Sequence, residues 1–113
     1  MNTLSRLSDW YLHQCDGDWE HSFGFQIGTL DNPGILIDID LVDTDLEGVA
    51  FEEVRDNHTS KSDWFICKRT ATKFEARGAA SRFEDILIIF LDWAEKNTIQ
   101  TEQDAAANPY HAR

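Results

Sequence analysis

Residues 23–41, FGFQIGTLDNPGILIDIDL, constrain the fold more than any other part of the chain. Before the turn, Phe23, Phe25 and Ile27 alternate with Gly24, Gln26 and Gly28. After it, Ile35, Ile37, Ile39 and Leu41 alternate with Leu36, Asp38 and Asp40. Successive strand side chains point to opposite faces, so each run reads as a strand with one buried side. DNPG at 31–34 is a tight turn, with Pro33 fixing φ and Gly34 expected at a positive φ. Two strands closed by a four-residue turn form a β-hairpin, and the sheet that contains it is antiparallel.

Helices flank this hairpin at a distance. Leu4, Leu7, Trp10 and Tyr11 recur at helical spacing and predict an amphipathic helix over 3–15, ended near Gly17. Residues 14–25 then read as the turn that joins this helix to the first strand. FEEVRD (51–56) is a weaker strand, NHTSKS (57–62) a polar turn, and DWFICKRT (63–70) and KFEARG (73–78) two more strands of an antiparallel meander. A last helix opens near Ser81, with Glu84 in capping-box position, and its buried stripe is Phe83, Ile86, Leu87, Phe90, Trp93 and Ala94. Residues 98–113 lack periodicity and are expected to be a disordered tail. The expected architecture is one α+β domain over 1–97, with two layers: an antiparallel sheet of four to five strands carrying an N-terminal and a C-terminal helix on one face.

Charge narrows the partners. The 113 residues hold 21 acids and 10 bases, a net charge of −11. Nucleic acids and anionic membranes attract the opposite sign, so neither is expected as a partner, whereas a basic protein surface is. Cys15 and Cys67 make no disulfide framework. The N-terminus lacks an apolar signal region, and the longest apolar run, residues 86–91, is too short to span a bilayer. The expected compartment is the cytoplasm.

Three stretches resemble catalytic or metal-binding motifs, and each has a simpler explanation. ILIDIDLV resembles the nucleophile strand of haloacid dehalogenase-type phosphatases, with Asp38 as nucleophile and Asp40 as acid and base. That chemistry needs a parallel core, which the hairpin opposes; the alternative of a small metal-dependent hydrolase using Asp38 and Asp40 predicts metal-dependent turnover of a phosphate ester that disappears in Asp38→Asn. DTDLEG (43–48) matches the first half of an EF-hand loop, but Val54 stands where the bidentate Glu belongs. His13, Cys15 and His21 lack the paired spacing of a zinc site. No metal, cofactor or catalytic residue is expected. In the stretch at 18–21, Trp19 is expected to pack under the sheet edge while Asp18, Glu20 and His21 bond the loop, with partner contact as the other reading. A ligand-binding regulatory module would show a deep apolar pocket between sheet and helices.

The segments WYLHQCDGDWEHSFGFQIGTLDNPG, IDIDL, FEEV, DW and EDILIIFLDWA together resemble the immunity protein 53 family of bacterial polymorphic toxin systems, over residues 7–94. The chain departs from that pattern at Ile35, where the family often has an aromatic, and at GAASR, where it is richer in Gly and Pro. The resemblance implies a small α+β protein that binds and neutralises a cognate toxin C-terminal domain by stoichiometric occlusion, without catalytic residues. Residues 38–56 hold eight acids against Arg55, a net of −7. Asp38, Asp40, Asp43, Asp45, Glu47, Glu52 and Glu53, with Asp31 and Asn32 of the turn, are therefore the expected toxin-binding residues.

Overall fold

A computed structural model describes residues 2–56 and 62–98. The turn expected at 57–62 therefore lies, except for Ser62, outside the described residues, as does the tail after Thr98.

Asn2 opens helix α1 (Thr3–Gln14): its side chain accepts from Ser5 N at 2.8 Å, satisfying one of the free amides of the first turn. Thr3, Leu7 and Trp10 are the buried face of α1. Leu4 is not part of it. At 65% exposure it overhangs an open groove beside Phe83 and Leu87, because at that level α1 meets α3 through a Thr3–Glu84 hydrogen bond of 2.7 Å rather than through apolar packing. A one-turn helix, α2 (Trp19–Ser22), interrupts what the sequence presents as a simple turn.

The hairpin forms from β1 (Phe25–Leu30) and β2 (Gly34–Asp40), in register from Phe25 opposite Ile39 to Leu30 opposite Gly34. The loop is three residues rather than four, and Gly34 lies in the ladder without a positive φ. Glycine is required there for space: an added Cβ would stand 2.8 Å from the Gly78 carbonyl of the adjoining strand.

Strands β3 (Val54–Asp56), β4 (Phe65–Arg69) and β5 (Lys73–Ala79) complete a five-stranded antiparallel sheet of order β1-β2-β5-β4-β3. A simple meander would place β3 beside β2. Instead β5 pairs with β2 over seven residues, and the chain from 41 to 53 passes along one end of the sheet to reach the far edge. Arg69 pins that passage by donating to the carbonyls of Leu46 (2.9 Å) and Val49.

After a 3-10 turn at Ala80–Arg82, α3 (Phe83–Lys96) returns across the sheet. The expected capping box does not form. Ser81 Oγ donates to Ser62 O, and Glu84 receives Thr3, so both side chains tie distant segments together. Ile86, Leu87, Phe90, Leu91 and Ala94 are buried, while Phe83 and Trp93 pack at the margin. Leu91, which the stripe omitted, is fully enclosed, and the passage from 41 to 53 reaches the helix at Trp93, whose Nε1 donates to Ala50 O at 3.0 Å and whose ring meets Phe51 edge-on at 5.0 Å. Both long helices lie on one face, joined by Arg6 to Asp92 and Glu95. The fold is two-layer α+β.

At Gly78 an added Cβ would meet Ile86 Cδ1 at 2.7 Å and Phe65 Cβ at 2.9 Å. Overpacking of this kind costs about 1–3 kcal/mol. Gly78→Ala should therefore lower the unfolding free energy by that amount, read as a lower denaturation midpoint at unchanged slope; a midpoint equal to wild type would mean that α3 is free to shift away from β5.

Candidate functional site

The alternation of β2 that buries Ile35, Ile37 and Ile39 turns Leu36, Asp38 and Asp40 to the open face of the sheet. On that face the cross-strand register brings Lys73 opposite Asp40 and Arg77 opposite Leu36, diagonal to Asp38. Lys73 Nζ lies 3.2 Å from Asp40 Oδ1, and Arg77 Nη1 lies 3.0 Å from Asp38 Oδ1. Asp40 Oδ2 also accepts from Gly24 N at 2.9 Å. Pairs this exposed add little stability, but they fix both carboxylates in place. These cations come from β5, distant in the chain, so no local pattern around Asp38 and Asp40 announces them. β2 is antiparallel to both neighbours, so the parallel core that the phosphatase geometry requires is absent around Asp38 and Asp40.

Below them the passage from 41 to 53 carries the remaining acids. Asp43, at φ 60, donates its N–H to Glu47 Oε1 (3.2 Å), and Leu46 between them is completely buried. This loop is thus held by a hydrophobic plug and by its own turns, with a carboxylate of the EF-hand-like run folded back on backbone. Asp45 lies half-buried beside the plug. Glu53 pairs with Arg55 at 2.6 Å and Asp56 with Arg82 at 2.9 Å. Asp43, Glu47 and Glu52 are exposed and, among the described residues, have no cation in ion-pair range. Asp38, Asp40 and the loop acids therefore run on from one another around one end of the sheet. Asp31 and Asn32 do not join them: they sit at the other end of the seven-residue β2, about 20 Å away at strand rise.

The stretch at 14–25 is built around Trp19, 4% exposed, whose Nε1 donates to Val42 O at 2.8 Å. Its ring meets Trp10 at 6.3 Å and Tyr11 at 5.9 Å, both edge-on. Asp16 Oδ1 accepts from Asp18 N and Trp19 N, and Glu20 accepts from Asp16 N and Gly17 N. Asp18 and His21 are exposed. His13, Cys15 and His21 do not converge, and among the described residues no group of three His, Cys, Asp or Glu side chains is placed to hold a metal. Both cysteines are buried, and burial pushes the Cys67 thiol up to about 12, far from a reactive thiolate at neutral pH. Between sheet and helices the space is filled by Ile37, Ile39, Phe74, Ile86, Phe90 and Leu91, all fully enclosed. Among the described residues no helix is long and apolar enough to cross a membrane.

The acids form an exposed surface band rather than the lining of a cleft between sheet and helices. Residues 4–95 match the family model of immunity protein 53. The chain belongs to the immunity protein 53 family. No curated protein and no solved structure gives a significant match. An immunity protein of this family implies a cognate toxin as its partner, so the exposed surfaces are where function is to be sought.

Replacing Trp19 by Ala removes a buried indole and its hydrogen bond, and such truncations cost about 3–5 kcal/mol. The expected outcome for Trp19→Ala is a large fall in melting temperature; an unchanged melting temperature would mean that the indole serves contact rather than packing.

Proposed function

We propose that this protein neutralises its toxin by stoichiometric occlusion, through the acidic end of the sheet, and that the toxin's docking face is basic. The observation that carries this reading is the placement of the acids. Asp38 and Asp40 are held rigid on the open face, and Asp43, Asp45, Glu47, Glu52 and Glu53 continue from them along a loop anchored by Leu46 and Arg69. A rigid acidic band has little entropy left to lose when it binds, and its field steers a basic partner toward it. A nuclease toxin, whose cleft is built to hold phosphates, fits this charge by analogy. The protein then acts as a binder and not as an enzyme, in the cytoplasm where the toxin would act. The turn residues Asp31 and Asn32 belong to a separate end of the sheet and are left out of the proposed band.

The test avoids Asp40, which also supports Gly24. Glu47→Lys combined with Glu52→Lys reverses two exposed acids with no ion-pair partner among the described residues; because Glu47 also accepts from Asp43 N, Glu52→Lys alone and the melting temperature of both variants are measured beside it. We expect a fall of at least tenfold in affinity for the toxin domain encoded beside this protein, mostly as a slower association rate, and impaired rescue of a host expressing that toxin. Equal affinity and full rescue would remove the acidic band from the interface.

A further inference from the structure

The two edges of the sheet are not alike. β3 is three residues long, and two of its side chains are charged and paired, Arg55 with Glu53 and Asp56 with Arg82. Short length and charge are the usual means by which an edge is kept from pairing with another chain. β1 has neither. Its six residues, FQIGTL, contain no charge and no proline, and Ile27 is 38% exposed, one of two large apolar side chains so exposed among the described residues.

The hydrogen-bond parity of β1 is fixed by its neighbour. Asp40 N donates to Gly24 O at 2.9 Å, and the register then makes Gln26, Gly28 and Leu30 the residues that bond to β2. Phe25, Ile27 and Thr29 must therefore turn their N–H and C=O groups away from the sheet. Beside this edge, on the open face, lies a polar groove of about 390 Å³ lined by Phe25, Gln26, Asp38, Asp40 and Lys73 among others. Across β1 the register sets Gln26 opposite Asp38, and Gly24, whose carbonyl accepts from Asp40 N, opposite Asp40; both line this groove, and it opens onto the two aspartates.

We propose that β1 is the toxin-docking edge: an extended segment of the cognate toxin adds to it as a sixth strand and sends a lysine or arginine into the groove beside Gly24 and Gln26, toward Asp38 and Asp40. This rests on the immunity reading and gives it a geometry. Backbone pairing at Phe25, Ile27 and Thr29 supplies affinity, and the carboxylates supply the preference for a basic side chain. A second copy of this chain is the poorer occupant. Its own β1 carries no base, and two molecules of net charge −11 repel each other.

Amide exchange on the wild-type chain, free and saturated with the toxin domain encoded beside it, tests the proposal. The amides of Phe25, Ile27 and Thr29 should exchange rapidly in the free protein and at least 100-fold more slowly in the complex, while Gln26 and Gly28 change little. A complex in which these three amides stay unprotected would overturn it. So would a free chain that is dimeric with the three already protected, since a second copy would then own the edge. Thr29→Pro deletes an outward N–H without removing a ladder bond, and should weaken toxin binding at least 30-fold. Unchanged affinity in that variant would also count against the edge; if the variant fails to fold, the exchange pattern of the wild type decides. Failure of the wild type to bind the toxin at all would instead strike at the immunity reading itself.

Discussion

Phe90 is the point on which the rest of the structure depends. Its fully buried ring meets Trp10 of α1 edge-on at 5.0 Å and Phe74 of β5 at 5.1 Å, so one side chain joins both long helices to the sheet. From Trp10 the aromatic contacts continue to Trp19, and from Phe74 to Phe51 and Trp93. A core this rich in rings gains area and directional packing from few residues, which suits a small domain. The open face of the sheet, with no layer over it among the described residues, carries paired charge.

The core and the surface are linked by the loops that the rings hold. Trp19 bonds Val42, Trp93 bonds Ala50, and Leu46 is enclosed between them in sequence, so the acid-bearing passage from 41 to 53 is fastened at three points to the hydrophobic interior. That fastening is why solvent-exposed acids such as Asp43 and Glu47 can hold a defined position, and why the long stretch at 14–25 is scaffolding for the loop opposite. The family assignment makes the protein an immunity protein; the proposed binding band and docking edge both draw on this anchored end.

What the sequence disclosed was local. The hairpin and both long helices follow from side-chain periodicity, a property of neighbouring residues, and they stand nearly where that periodicity puts them. What it concealed was distant pairing. That β5 rather than β3 lies beside β2 determines which cations face Asp38 and Asp40, and no local pattern specifies it. Gly34 differs from its expected turn role for a related reason: its need for space comes from Gly78, across the sheet. Ser81 and Glu84 carried a capping signature, yet long-range partners at Ser62 and Thr3 compete for the same side chains and win. Of the expected binding residues, those on β2 and the following passage come together, and the turn at Asp31 and Asn32 does not.

The most direct test of the central claim is calorimetric titration of the purified chain into its cognate toxin domain, at low and at high salt, alongside the residual toxin activity at each molar ratio. Stoichiometric occlusion by an acidic surface predicts one transition at a ratio of one to one, loss of toxin activity that tracks occupancy, and weaker binding as salt rises. Neutralisation complete at a small fraction of an equivalent, or binding indifferent to salt, would contradict it.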